Sequence, residues 1–156
     1  MESKLRIESP EKLMLPLLEL VDRGETVPLV ISGGSMTPFL VHGRDTVYLS
    51  RVSRPLKKGD MILYRRESGD YVLHRICRIR KETFDLIGDA QRVIEPGIRA
   101  EQVLALVTAV RRKGVLLRGG SFLWEFFEKA WIRMIPLRPM MMGLYRTIAL
   151  KLEKHT

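Results

Sequence analysis

The sequence predicts a mainly β, α+β fold in which a sheet body lies between an N-terminal helix and a C-terminal helical tail. Two observations predict this class. Short runs rich in Val, Ile, Leu and Tyr alternate with Gly and Asp turns over residues 26–118, and apolar residues with helical spacing occur before and after them. The 156 residues, 46% hydrophobic and 29% charged, have the size and composition of one globular domain.

The N-terminal helix is predicted from its capping signals. Ser9 is a good N-cap, Pro10 suits the first helical position, and Arg23-Gly24 suits the end of the helix. The apolar face repeats every three or four residues, at Leu13, Leu17, Leu18 and Val21. Pro16 lies inside this pattern and lacks a backbone donor, so we expect a kink there or a helix that begins at Pro16.

The sheet is predicted from seven strand candidates that turn residues separate. The candidates are 26–32, 45–52, 60–65, 70–80, 83–87, 103–112 and 114–118. The turns between them include Gly43-Arg44-Asp45, Lys58-Gly59-Asp60, Ser68-Gly69-Asp70 and Lys113-Gly114. Asp45 and Asp60 each follow a turn and begin a strand, so we expect their carboxylates to accept backbone N–H groups rather than to act in catalysis.

The tail, residues 121–156, is both basic and apolar. A helix rich in aromatic residues is predicted to begin at Ser121, and Pro136 and Pro139 are expected to break it before a second helix around 140–152. Trp and large aliphatic residues alternate with Lys and Arg, which is typical of helices that lie in a membrane interface. The same apolar stripe would also serve to pack the tail on the sheet, and the sequence leaves both alternatives open.

The charge balance favours an anionic partner. There are 27 Lys and Arg against 18 Asp and Glu, giving a net charge of +9 and a pI of about 10.1. Ten of the cations and three of the acids fall within 51–81. Arg75, Arg78, Arg80 and Lys81 are expected to form a solvated face. Specific nucleic-acid binding is disfavoured because a single N-terminal helix is too little for a helix-turn-helix.

Cysteine and histidine usage excludes several classes of protein. Cys77 is the one cysteine and the three histidines are far apart, so neither a disulfide framework nor a zinc hydrolase is expected, and no metal or other cofactor is predicted. Six acids within the first thirty residues fit neither a signal peptide nor a spanning helix. We therefore expect a cytoplasmic protein, with peripheral membrane association through residues 121–156 as the open alternative.

Three residues have the chemistry of a serine nucleophile and its helpers. Two glycines directly before Ser35 allow a sharp turn that leaves its hydroxyl accessible. His74 lies on a predicted strand and is the most economical base for such a hydroxyl. Asp89, at a strand end, is placed to orient the imidazole. Taken one by one, each also fits a structural role, as a loop serine, a core histidine and a turn aspartate.

Five segments in order resemble the signal peptidase I and LexA-like clan of serine peptidases. They are SGGSMTPFL at 32–40, GRDTVYL at 43–49, KKGDMILYR at 57–65, VLHRI at 72–76 and LIGDA at 86–90. The resemblance implies a coiled β-sheet peptidase domain over 1–120 and Ser35 as its nucleophile. It further implies that Ser32 and Gly34, with the Ser35 N–H, serve the oxyanion hole, and that Met36 and Pro38 shape the substrate groove.

The His74-Arg75 pair resembles the archaeal and endoplasmic-reticulum branch of that clan, whereas the other branches use lysine at this position. That branch carries a second acid six residues after its Gly-Asp box, where this chain has Glu95. The sequence departs from the branch in two places. Gln91 stands where Asn is usual, and Ser-Gly-Gly-Ser has one residue more than Ser-Gly-Ser.

The leading hypothesis is a serine endopeptidase that cleaves an extended segment of a peptide or protein precursor through an acyl-enzyme. In it, His74 takes the Ser35 proton and Asp89 orients His74. The alternative is a LexA-like protein that cleaves only itself, or a catalytically idle peptide-binding regulator. Signal peptidases normally carry a spanning helix, and the sequence predicts none. We therefore do not expect this chain to be a housekeeping signal peptidase. The sequence leaves the oligomeric state open.

Overall fold

Residues 10–154 are the part of the chain that the computed structural model describes, and they contain one eight-stranded antiparallel sheet with helices at both ends. The predicted mainly β, α+β class is therefore confirmed. The strands are β1 Val27–Val30, β2 Thr46–Ser50, β3 Met61–Arg65, β4 Tyr71–Ile79, β5 Thr83–Ile87, β6 Glu95–Arg99, β7 Val103–Arg112 and β8 Val115–Leu117. Their order in the sheet is β1-β2-β7-β3-β4-β5-β6, and β8 pairs with β7.

The strand β6 is missing from the strands that we predict. Its sequence, Glu-Pro-Gly-Ile-Arg, has one β-branched residue and contains both Pro96 and Gly97, which weaken a strand signal. It lies at the end of the sheet order, where proline is tolerated because one side of the strand needs no partner. This strand is important for the site because it begins with Glu95.

The N-terminal helix α1 spans Pro10–Asp22 and continues through Pro16, so it does not begin there. It ends where predicted, and Gly24 has a φ of 92°, the left-handed conformation that glycine adopts most readily. Leu17 and Val21 are buried against the main core. The predicted cap, Ser9, lies outside the described residues.

The C-terminal segment is less regular than predicted. Helix α2, Phe122–Glu125, continues into a π-helical turn at Phe126–Ala130, and short 3₁₀ turns lead to helix α3, Arg138–Glu153. Pro139 does not break a helix. It lies in the first turn of α3, where its missing N–H costs no hydrogen bond. No helix within residues 10–154 is long and apolar enough to cross a membrane.

The sheet is buried on both faces in its centre. Along β3, Met61 and Leu63 contribute to the main core, whereas Ile62 and Tyr64 point to a second cluster on the other face. The main core also contains Met36 and Phe39 of the loop after β1, and Phe127, Trp131 and Met142 of the tail. One face of the tail therefore packs on the sheet body.

The two aspartates that begin strands have structural roles, as predicted. The Asp45 carboxylate accepts the backbone N–H groups of Val41 and Lys113 at 2.8 and 3.2 Å. Burial alone would raise the pKa of Asp45, but these bonds and an ion pair with Arg44 outweigh it and hold the pKa below its usual value. Asp60 accepts the Lys57 N–H at 2.8 Å and an ion pair from Arg54.

Candidate functional site

Ser35 lies in a tight loop between β1 and β2. Gly33 takes a φ of 83°, and its N–H donates to His42 Nδ1 at 2.9 Å. The Thr37 N–H donates to the Gly34 carbonyl at 3.2 Å, which closes the turn around Ser35. Met36, directly after the serine, is buried in the main core. The loop is thus fixed from both sides, by His42 on the surface and by the core below.

The hydroxyls and the backbone N–H that nucleophilic attack would use have no hydrogen-bond partner among the described residues. Within the described residues, the Ser35 hydroxyl and the Ser35 N–H make no hydrogen bond, and neither does the exposed hydroxyl of Ser32. Two hydroxyls and a backbone N–H are therefore available to a substrate in this loop. This availability is what attack on a carbonyl and stabilisation of its oxyanion require.

The turn after β5 holds the main chain of Ser35. The Ala90 N–H donates to the Ser35 carbonyl at 2.9 Å. A Cβ on Gly88 would lie 2.5 Å from that carbonyl oxygen, so only glycine allows the approach. Gln91 closes the turn, because its side-chain oxygen accepts the Gly88 N–H at 3.2 Å and its own N–H donates to the Gly88 carbonyl at 3.0 Å.

The same turn also adjoins the strand that carries His74. In the β4–β5 pair Arg75 lies opposite Ile87, and continuing the same antiparallel register places His74 opposite Gly88. Gly88 therefore borders both the imidazole strand and the Ser35 carbonyl. Ser35 and His74 do not form a hydrogen bond with each other within the described residues. Such contacts in ligand-free enzymes often tighten only when substrate binds.

His74 is buried and uncharged. Its side chain is 3% exposed, and burial lowers the pKa of His74 from 6.5 to about 4, although the charge of Glu95 acts in the opposite direction. The imidazole is therefore neutral at pH 7. A neutral imidazole can accept a proton, which is the first requirement for a general base.

A tyrosine connects this imidazole to an acid. Tyr64, on β3, donates its hydroxyl proton to the Glu95 carboxylate, and its oxygen lies 3.1 Å from His74 Nδ1. Because the single proton of Tyr64 goes to Glu95, the tyrosine oxygen has to accept a proton from Nδ1. This assigns the proton to Nδ1 and leaves Nε2 as the basic nitrogen.

The acid at the end of this chain is charged. Arg66 donates to both oxygens of Glu95, at 2.9 and 3.0 Å. Burial alone would raise the pKa of Glu95, but the bonds from Arg66 and Tyr64 outweigh it and keep the pKa below its usual value. Burial, and then the bond to Glu95, raise the pKa of Tyr64, so the tyrosine keeps its proton. We call Arg66, Glu95, Tyr64 and His74 the relay.

Asp89 pairs with Arg75 and makes no hydrogen bond to His74 within the described residues. Its two carboxylate oxygens accept from Arg75 at 2.9 and 3.0 Å, and both side chains are buried. Side chains alternate between the two faces of a sheet along a strand. Arg75 and Asp89 each come one residue after His74 and Gly88, so they meet on the face opposite to the imidazole. Arg75 is therefore not part of a solvated face, whereas Arg78 and Arg80 are exposed as expected.

The Arg75–Asp89 pair supports the Ser35 loop from below. The third guanidinium nitrogen of Arg75 donates to the Gly59 carbonyl at 2.9 Å, and its plane lies over the Phe39 ring at 5.4 Å. Phe39 belongs to the loop that carries Ser35. The pair thus connects β4, the turn after β5 and the nucleophile loop in one buried cluster.

The tail contributes a second buried arginine to the same turn. Arg138, the first residue of α3, donates to the Gly88 and Gln91 carbonyls at 2.9 and 2.8 Å, and also to the Trp131 carbonyl. Trp131 donates its indole N–H to the Asp89 carbonyl at 2.8 Å. Arg138 and Trp131, which we call the tail clamp, therefore hold the turn that holds Ser35.

Two open grooves flank the middle of β4. The smaller groove is lined by Ser32, Ser35 and Met36 together with residues 71–73, and the larger, of about 490 Å³, by His74 with residues 91–96. Met36 thus lines the groove next to Ser35. Pro38 does not line either groove, and its carbonyl accepts from Arg112 at 3.5 Å.

The sequence hypothesis did not include Tyr64 or the tail clamp. Tyr64 lies on a strand face next to His74, but the pairing of β3 with β4 is needed to see this. Arg138 resembles every other cation of a basic tail, so no signal in the sequence separates it. No protein-family model matches the chain, and no curated protein shows significant similarity to it.

Proposed function

We propose that this chain is a serine endopeptidase in which Ser35 attacks the peptide carbonyl and His74 Nε2 takes the serine proton. The relay keeps the proton of the imidazole on Nδ1. The Ser35 N–H and the Ser32 hydroxyl stabilise the oxyanion. An acyl-enzyme on Ser35 forms as the amine leaves with the proton from His74, and water then releases it.

The observation that carries the proposal is the ordered contact from Glu95 through Tyr64 to His74 Nδ1. A histidine that served only packing would not need a charged acid and a tyrosine to select its tautomer. The resemblance of the five sequence segments to signal peptidase I and LexA-like peptidases supports Ser35 as the nucleophile and His74 as the base independently. The compartment in which such a peptidase would act is proposed to be the cytoplasm.

The substrate is proposed to be an extended peptide segment. Within the described residues β1 pairs with β2 alone, so its other edge offers backbone groups to an added strand. The chain runs from this edge into the loop of Ser35, and Ile31 lines the groove together with Ser35. A strand added to β1 would therefore deliver its carbonyl toward the serine.

The direct test is phosphonylation of Ser35 by a fluorophosphonate, read by intact mass. The serine oxygen forms a bond to phosphorus as fluoride leaves, and the serine proton goes to His74. We expect one adduct on the wild-type protein and none on Ser35→Ala. Ser53→Ala, a loop serine away from the site, is the matched control and should be labelled like the wild type.

The outcomes separate the proposal from its alternative. If the wild-type protein takes no adduct at Ser35, the serine is not activated and a catalytically idle, peptide-binding protein is the better reading. If the purified protein also fragments, and the fragments disappear in Ser35→Ala, self-cleavage is its activity. Cleavage of added peptides without self-fragmentation supports an endopeptidase that acts on other proteins.

The pH dependence of labelling is a separate prediction. Because His74 stays neutral until its pKa of about 4, the labelling rate should fall near pH 4 rather than near 6.5. Glu95→Gln removes a negative charge that favours the imidazolium, so the fall should move to still lower pH. NMR titration of His74 and circular dichroism in the same buffers would check protonation and folding.

Tyr64→Phe serves as the matched variant for this pH series. It deletes the acceptor of the Nδ1 proton without changing the shape of the side chain, so labelling should slow across the whole pH range. A fall of the wild-type rate near pH 6.5, or a shift to higher pH in Glu95→Gln, would contradict the role assigned to the relay.

A further inference from the structure

Helix α3 has two apolar faces, of which one packs on the main core and the other is exposed within residues 10–154. Met142 is buried in the main core, with Met141 and Tyr145 packed against it. A second row, which we call the outer stripe, is exposed and follows the helical repeat. Its members are Leu137, Met140, Leu144, Ile148 and Leu152.

The outer stripe is bordered by cations. Lys151 lies within α3 next to Ile148 and Leu152, and Arg133 and Lys154 lie before and after the helix, whereas Arg146, two residues from both Leu144 and Ile148, lies on the opposite side of it. None of these four makes an ion pair within residues 10–154. The one acid of α3 is its last residue, Glu153, so a band of exposed apolar side chains lies within a surface of nearly one sign.

This combination favours an anionic lipid surface over a protein partner. Apolar side chains at the centre and cations at the border are the pattern of helices that lie in the headgroup region of a bilayer. A second copy of the chain would bring like charges together, because the same cations border the same stripe. A stable protein interface also needs roughly 1,000 Å² or more, which a single row of side chains does not supply.

We propose that α3 docks on anionic membranes through the outer stripe, with Lys151 and Lys154 at the phosphate level. The inner face of the helix stays on the sheet body, so docking needs no unfolding of the tail. This inference does not depend on the proposed peptidase activity, because it uses residues that take no part in the site.

The test is flotation of the full-length protein with vesicles of phosphatidylglycerol and phosphatidylcholine. We expect binding to mixed anionic vesicles, little binding to pure phosphatidylcholine, and loss of binding as salt is raised. The double variant Leu144→Gln and Ile148→Gln should bind about tenfold more weakly. Both residues are exposed, so a thermal melt should show unchanged folding.

The matched control is Val115→Gln with Leu116→Gln on β8. These residues are 60% and 42% exposed, close to the 63% and 50% of Leu144 and Ile148, but they lie outside the stripe. The control should float like the wild type. Equal weakening by both double variants, absence of flotation on anionic vesicles, or a concentration-dependent dimer that the stripe variant abolishes would overturn the proposal.

Discussion

Replacing Asp89 by alanine is expected to lower the free energy of unfolding by about 3–5 kcal/mol, the usual cost of removing one partner of a buried ion pair. The substitution leaves the Arg75 guanidinium buried, with the Gly59 carbonyl as its remaining polar partner on the protein. The measurement is denaturant unfolding followed by circular dichroism. A loss below about 1 kcal/mol would contradict a buried pair at this position.

The matched variant is the double substitution Arg75→Leu with Asp89→Leu. It removes both charges at once, so no uncompensated group stays in the core, and much of the stability lost in Asp89→Ala should return. If Asp89 instead acted mainly by orienting His74, Asp89→Ala would slow the labelling of Ser35 at nearly unchanged stability. The two readouts therefore separate a structural pair from a catalytic acid.

Replacing His74 by glutamine is expected to slow phosphonylation of Ser35 by about 10²–10⁴-fold at neutral pH, the usual contribution of a general base. Glutamine fills part of the same space but cannot take the serine proton. The rate constant is measured by intact mass against time. Circular dichroism and thermal melts of the variant check that the buried site has not collapsed.

Chemical rescue distinguishes the loss of a base from the loss of packing. In His74→Ala the larger groove, which His74 lines, would admit free imidazole, and added imidazole should restore part of the labelling rate. Since a packing defect would not respond to a soluble base, rescue is specific to the proposed role. A His74→Gln variant that is labelled at the wild-type rate would exclude His74 as the base.

The parts of the fold that local rules govern were predictable. The turns before β2, β3, β4 and β8 lie where Gly and Asp indicate them, and α1 ends at the expected glycine. The strand β6 escaped prediction because Pro96 and Gly97 suppress the periodic signal on which strand prediction depends.

The sequence indicated which residues to consider for the candidate site, but it did not indicate which of them contact each other. Ser35, His74 and Glu95 all stand out in the sequence, whereas the partner of each depends on strand register. A register in which His74 meets Gly88 puts Asp89 on the other face of the sheet with Arg75, and it leaves Tyr64 to reach the imidazole. One-dimensional spacing contains no information on that register.

The tail clamp has a consequence for how the two proposed binding surfaces affect each other. Arg138 is at once the first residue of α3 and the donor to the Gly88 and Gln91 carbonyls, so one buried side chain joins the helix proposed to bind lipid to the turn that holds the main chain of Ser35. Any coupling along this path is reciprocal. The factor by which anionic lipid changes the affinity for a peptide must equal the factor by which a bound peptide changes the affinity for lipid.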